Sequence, residues 1–509
     1  MTTTTSEAQL SQLSELIAAQ MGLHFPRERW PDLERGIRSA AREFDLKDGE
    51  SCLEWLMSSP LTRKQVEILA SHLTVGETYF FRERKSLEIL EGHVLPELIR
   101  ARRGNEKRLR IWSAGCCTGE EPYSIAILLT KLIPDWKDWK ITILGTDLNP
   151  RFLQTASEGI YPKWSFRETP EWVREKYFTA TKDGRWAVIP SIKKMVTIHY
   201  LNLADRAFPS LLTNTNAMDV VFCRNVLMYF TPEAAKKVIQ NLFCSLMDGG
   251  WLVVSPTETS QALFAQFVTV NFPGVTLYKK DAQRLWAEEV FPHELGDEPR
   301  AAWPPSADVR VELDWRIRSP AQPFPETLPS DTEEGNQGEP RPTSYGEALT
   351  LYERGRYEET VEKLVVWLSQ NCDDAKAMLL LARVYANQGK LAEALEWCEK
   401  AIAADKMNAG YHYLRATILQ EQGSLAEARA SLKRTLYLDP KFVLAHFALA
   451  NLAQREERFK ESDKYFENAL SLLSAYRQED ILPESEGMTA GRFMEIVTVQ
   501  RNQGVRAEK

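Results

Sequence analysis

No apolar run in the 509 residues reaches the length of a membrane span. The start, MTTTTSEAQL, lacks the basic stretch and apolar core of a secretory leader. We therefore expect no membrane insertion and a cytoplasmic location. The seven cysteines include no Cys-x-x-Cys pair; they are odd in number and scattered between Cys52 and Cys398. That excludes a disulfide framework and fits reduced thiols. No His/Cys cluster offers ligands, so no metal is expected. Positive charge is not in excess either. The 63 Lys and Arg against 71 Asp and Glu leave a net charge of −8, which argues against general nucleic-acid binding. Hydrophobic content of 44% and charge of 26% are those of ordinary globular protein. A chain this long outgrows one core, so roughly three or four domains are expected.

The stretch LRIWSAGCCTGEEPYSIAILL, Leu109 to Leu129, is the most informative. A short apolar strand, Leu109–Ala114, runs into a small-residue loop (Gly115, Cys116, Cys117, Thr118, Gly119) and then into a helix opening Glu120-Glu121-Pro122. Glycine lets a backbone approach a ligand closely, and proline suits a first helical turn. Two glutamates at the helix start repel phosphate, so the pocket should take an uncharged or cationic nucleoside. The next strand, ITILGTDLNP, ends in Asp147, placed to accept hydrogen bonds from ribose hydroxyls or to cap the following helix. A third strand, Asp219–Cys223, delivers Arg224, Asn225 and Tyr229 beyond its carboxyl end, where ligands bind in open α/β sheets. WLVVSPTE is a fourth, entered through Asp248-Gly249-Gly250, and FVTVNFPGVTLYKK reads as an antiparallel hairpin around Pro273-Gly274. Between Tyr161 and Leu203, crowded with Trp164, Phe166, Trp172 and Trp186, we expect a small inserted subdomain with strands near Trp186–Pro190 and Val196–Leu201.

Residues 7 to about 75 carry helical periodicity. From Asp32 to Phe44, Leu33, Ile37, Ala40, Ala41 and Phe44 share one face and Arg35, Arg38 and Arg42 the other. That basic face is either solvated surface or a dock for an acidic helix. TYFFRE follows, Thr78 to Glu83: an aromatic wall with one hydroxyl and one guanidinium. A helix from Lys85 to Arg103 ends in Arg100, Arg102 and Arg103. Further on, Pro292–Pro342 holds ten of the 26 prolines and reads as an extended linker. A 34-residue period then sets in: Gly355, Gly389 and Gly423 with Glu457 in register, and Ala348, Ala382, Ala416 and Ala450. It matches tetratricopeptide repeats, four units from Tyr345 to about Tyr476, each two antiparallel helices.

TYFFRE, WSAGCCTGEEPYSIAI, GTDLN, GIY and FCRNVLMYF, in this order, closely resemble the CheR-type chemotaxis receptor methyltransferases over Glu7 to about Lys280. The resemblance implies a multidomain fold: an all-α N-terminal domain (1–83), a Rossmann-like α/β S-adenosylmethionine domain (84–285) and a β-subdomain inserted at about 161–203. The linker (286–344), the α-solenoid of repeats (345–476) and a capping helix and tail (477–509) complete the chain. It further implies methyl transfer from S-adenosylmethionine to glutamate side chains on chemoreceptor cytoplasmic helices, leaving S-adenosylhomocysteine. By motif, Thr78 and Arg82 resemble the residues that meet the methionine portion, Glu120 the amino group and Asp147 the ribose. Asn202 and Leu203 fall at adenine, and Arg224 and Asn225 line the cofactor. Tyr229 resembles the family's active-site tyrosine, with Arg102 or Arg103 as its arginine. Arg35, Arg38 and Arg42 become the substrate dock. The repeats would hold a protein or peptide in their groove. The family often has Asn where this chain has Gly76, and a receptor tether uses a glycine-rich subdomain where this chain offers only Gly184. The other readings are a repeat scaffold that binds S-adenosylmethionine, and a methyltransferase for another protein or a small molecule.

Overall fold

The computed structural model describes residues 7–59, 61–103, 107–205, 208–281, 345–485 and 488–507. The linker expected at 286–344 lies outside them.

Four helices open the chain: α1 (Glu7–Met21), α2 (Trp30–Glu43), α3 (Gly49–Met57) and α4 (Arg63–Leu73). Their starts are written locally. Pro31 sits in the first turn of α2, the Asp48 side chain accepts the Ser51 N–H at α3, and Thr62 and Gln65 form a reciprocal capping box at α4. Leu33, Ile37, Ala40 and Ala41 of α2 are buried with Leu13, Ile17, Leu53 and Leu69, as the periodicity requires. Arg35, Arg38 and Arg42 are exposed on the other face. The helix expected over Lys85–Arg103 is interrupted. It runs as α5 (Arg84–Ile89), a wide π turn (Leu90–Val94) and α6 (Leu95–Arg103), the pause falling just before Pro96, which has no N–H to donate backwards.

The central domain contains β1 (Arg108–Ala114), α7 (Glu120–Leu132), β2 (Lys140–Asp147), α8 (Pro150–Glu158) and β3 (Ile160–Tyr161), then β4 (Phe178–Ala180), β5 (Trp186–Val188) and β6 (Val196–Tyr200). β7 (Met218–Phe222), α11 (Pro232–Ser245, after the short α9 and α10 at Glu171–Tyr177 and Pro190–Lys193), β8 (Leu246–Val253), β9 (Val268–Phe272) and β10 (Val275–Lys279) follow. Seven strands form one sheet in the order β6-β2-β1-β7-β8-β10-β9. The first five are parallel, and β9–β10 is the antiparallel hairpin that the Pro273-Gly274 turn predicts. The buried faces of Ile111, Ile143, Val220 and Val253 pack against α7 side chains such as Ile125 and Leu129. The inserted sheet is smaller than expected, with order β3-β5-β4. Val196–Tyr200 is not part of it: β6 pairs in parallel with β2 and closes the large sheet. Its β-branched alternation is that of any half-covered strand, so periodicity alone does not assign it to a sheet.

Eight helices follow in four antiparallel pairs, from Tyr345–Glu353 with Tyr357–Gln370 to Val443–Arg455 with Phe459–Leu473. Ala348, Ala382, Ala416 and Ala450 are buried, as small residues between packed helices are. A further helix, Ala490–Ala507, covers the open end with Phe493 and Val497. The turns between paired helices lie against the amino edge of the central sheet. Glu421 pairs with Arg108 at 2.9 Å and Arg110 at 2.8 Å, both on β1. Lys140, the first residue of β2, donates to the Gln422 carbonyl at 2.8 Å. Lys280 is buried and donates to the Phe243 and Leu246 carbonyls, its ammonium 5.6 Å from the Tyr357 ring centroid.

Candidate active site

At the opposite, carboxyl edge a crevice encloses about 1030 Å³, counting its open mouth. Its floor is the β1–α7 loop. Gly115 has φ +82°, and a Cβ there would fall 2.4 Å from Val226 Cγ2, so only glycine serves. The N–H groups of Gly115 and Cys116 both donate to the Thr146 carbonyl at 2.8 Å, which ties the loop to β2. Asp147 then fixes the next residue: its carboxylate accepts the N–H of Cys117 at 2.9 Å and of Asn149 at 2.8 Å. Burial pushes the Asp147 carboxyl up, and those N–H donors work against the shift.

The second wall comes from the segment after β7. Asn225 has φ +58°, a conformation a non-glycine residue holds only under restraint. The restraint is Glu258, whose carboxylate accepts the N–H groups of Asn225 at 2.6 Å, Val226 at 2.8 Å and Met228 at 3.2 Å. The Asn225 amide also donates to Ser255 Oγ at 3.0 Å. Arg224, with 4% of its side chain exposed, donates to Glu121 at 2.7 Å and to the Arg82 carbonyl at 2.9 Å, and lies 3.5 Å from Glu83. One buried guanidinium thus joins α7, β7 and the TYFFRE segment. In that segment Phe81 and Glu83 both have positive φ.

The roof and mouth include the N-terminal domain. Leu23, His24, Phe25 and Arg29 line the crevice with Tyr229 and Phe230. The His24 N–H donates to the Tyr229 carbonyl at 2.7 Å, and the Arg29 guanidinium sits 5.6 Å from the Tyr229 ring centroid. Asn202 donates to the Gln20 carbonyl at 2.8 Å, closing the end of α1 onto the sheet. Gly76 faces Phe152; a Cβ at 76 would lie 2.5 Å from the ring, so the phenyl group occupies the space that a larger residue would need.

Residues 76–273 match the family described as CheR methyltransferase, SAM binding domain, and residues 351–418 and 409–442 match tetratricopeptide repeats. A chemotaxis protein methyltransferase of Borreliella burgdorferi is 30% identical over 253 residues, 49% of this chain and 88% of that protein. Chemotaxis protein methyltransferase 2 of Vibrio cholerae is 35% identical over 43% of this chain and 74% of that protein. Chemotaxis protein methyltransferase 1 of Pseudomonas aeruginosa is 37% identical over 41% of this chain and 76% of that protein. The chain belongs to the chemotaxis protein methyltransferases. As a member, this methyltransferase uses S-adenosylmethionine, and the crevice fits that molecule. It offers a glycine floor for close approach, the carboxylates of Asp147 and Glu121 for a cationic nucleoside, and a helix start whose first turn carries two glutamates, which disfavours phosphate.

The methyltransferase brings most of the residues singled out in its sequence to this crevice: Thr78, Arg82, Asp147, Asn202, Leu203, Arg224, Asn225 and Tyr229. Three do not arrive. Glu120 is 2% exposed and turned away, accepting from Thr118 Oγ1 at 2.6 Å and Ser165 Oγ at 2.9 Å; its neighbour Glu121 lines the crevice. Arg102 pairs with Asp219 at 2.8 Å and Arg103 lies 3.7 Å from Asp135, both by the amino edge. A helix that feeds directly into β1 must end at that edge, so neither arginine reaches the crevice. Glu258, Phe152 and the Leu23–Arg29 wall carry no role in the sequence reading. Glu258 leaves one signal, the Ser-x-x-Glu spacing from Ser255, which is a capping box in the structure. Among the described residues no cluster of His, Cys, Asp or Glu suits a metal ion, and no helix is long and apolar enough to cross a membrane.

Proposed function

We propose that this methyltransferase esterifies glutamate side chains on the cytoplasmic helices of a chemoreceptor, releasing S-adenosylhomocysteine. The observation that carries the reading is that Tyr229, Arg29 and Arg82 line one crevice together with the glycine loop and the carboxylates of Asp147 and Glu121. S-adenosylmethionine supplies an electrophilic methyl group on sulfur. A glutamate carboxylate, with an ordinary pKa of about 4.3, is ionised near neutrality and needs no base. The carboxylate oxygen gains the methyl group and the sulfur keeps the electron pair of the broken bond, with no proton moved. The protein's task is positioning and exclusion of water. Arg82, rather than Arg102 or Arg103, joins Tyr229 in aiming the incoming carboxylate. Arg224 is a positioning residue, its charge committed to Glu121 and Glu83. Asp147 is the ribose acceptor, Glu121 takes the amino-group role, and Asn202 and Leu203 flank adenine.

The exposed Arg35, Arg38 and Arg42 form the dock for an acidic receptor helix, and the repeats recruit a protein or peptide partner. The reaction belongs in the cytoplasm, where those receptor helices lie. The test is tritiated S-adenosylmethionine with receptor, scored as base-labile label. Asp147→Ala is expected to abolish labelling and the triple reversal of Arg35, Arg38 and Arg42 to Glu to reduce it at least tenfold. Labelling at the wild-type level by either variant rejects the corresponding assignment.

A further inference from the structure

Stacked helical pairs present the row of their first helices to ligands. In this chain that row is already in contact with a segment of the same chain. The described residues Gln478–Ser485, Met488 and Thr489 lie between the last repeat helix and the end helix. Their two ends are tied together: Ile481 bridges Thr489, the Ala490 N–H donates to the Asp480 carbonyl at 2.7 Å, and the Gly491 N–H to the Gln478 carbonyl at 3.0 Å. Between those ends, Ser485 Oγ accepts the Met488 N–H at 2.9 Å and lies 2.7 Å from the Leu482 carbonyl.

The loop reaches across three repeats. Leu482 and Met488, each 2% exposed, enter the apolar cluster of Tyr413, Leu444 and Phe447 on the first helices of the third and fourth units. At its tip Glu484, with φ +59°, forms an ion pair with Arg383 on the first helix of the second unit. The same carboxylate comes down on Gly410, where a Cβ would lie 2.9 Å from Glu484 Oε1. An apolar anchor two positions before an acid, a guanidinium to receive the acid and a glycine beneath it make a built ligand contact, not incidental packing.

We infer that the stretch Gln478–Ser485, with Met488 beside it, is a resident pseudo-ligand of the repeat groove, and that the groove's exchangeable partner is an acidic peptide of the same chemistry. Such a peptide places a leucine-like side chain among Tyr413 and Phe447 and a carboxylate on Arg383, and it enters as the loop lifts. This deepens the recruitment role proposed for the repeats. Its test reads peptide binding, so its failure leaves the methyl-transfer reading where it stands.

The probe is a fluorescent peptide with the sequence of residues 478–489, titrated by anisotropy into the full chain. Wild type is expected to bind at least tenfold more weakly than the double variant Leu482→Ser with Glu484→Lys, whose own loop is weakened. Adding Arg383→Glu to that variant is expected to remove the gain. Equal binding to wild type and loop variant, no binding to either, or indifference to Arg383→Glu overturns the inference. A second measurement keeps the apolar anchors intact. Amide exchange over Leu482–Ser485 should quicken in Arg383→Glu and slow again in the swap Arg383→Glu with Glu484→Arg; exchange that stays fast in the swap overturns the ion pair as the latch.

Discussion

At the carboxyl end of the central sheet, Asp147 and Glu258 turn their carboxylates on backbone N–H groups, whereas at the amino end Glu421 turns its carboxylate on the side chains of Arg108 and Arg110. The first arrangement fixes the course of loops and leaves the space between them open. The second closes space, drawing a separate helical array against strand ends. A carboxylate on backbone donors holds positive-φ residues such as Cys117 and Asn225 in place; a carboxylate on buried arginines satisfies charges that would otherwise be stranded. Charge at one edge serves catalysis through shape, and charge at the other serves stability.

Mutations can separate the two. The largest effect on turnover is expected from Glu258→Ala, which strands the N–H groups of Asn225, Val226 and Met228 and lets the Tyr229 segment drift. A displacement of about 1 Å suffices for a fall of about 100-fold in kcat/KM, read by steady-state methylation. Retention of wild-type kcat/KM would break the claim that this carboxylate shapes the crevice. Glu421→Ala should act the other way round. Leaving Arg110 buried without its acid costs about 3 kcal/mol, read as a lowered Tm, while affinity for S-adenosylmethionine stays within about twofold. The smallest effect is pH-dependent. Burial holds the His199 imidazole down to about 4, against about 6.5 for an unburied one. The fold carries it neutral, so stability is full above about pH 6.5 and is lost as pH falls from there toward 4. His199 meets Gln500 of the end helix at 3.3 Å. His199→Gln should flatten the acid limb of a Tm-against-pH profile and leave the neutral Tm nearly unchanged.

The parts of this arrangement legible in sequence are those with local causes. The glycine loop, the Pro273-Gly274 hairpin, the capping residues and the 34-residue period each follow from a few adjacent residues. What stayed hidden depends on rotation or on distance along the chain. Glu120 and Glu121 differ by one step around a helix, about 100°, and nothing in the sequence says which of them faces the ligand. Arg102 and Arg103 carry no local mark of their place, because basic residues at a helix end look alike at either edge of a sheet. Glu258 is 33 residues from Asn225, and its role exists only once β7 and β8 lie side by side. The wall from Leu23 to Arg29 likewise needs the N-terminal helices to close over the strand ends.

Gly355 is so close to the α/β domain that a Cβ would sit 2.1 Å from Cys244 Sγ, whereas at the equivalent place in the fourth unit Glu457 holds the same left-handed turn with a full side chain. The turn itself therefore tolerates more than glycine; it is the neighbouring domain that forbids more at the first position. The units of the array are consequently not interchangeable beads. Each carries an address, and exchanging the first for the fourth would set a glutamate where there is room only for hydrogen.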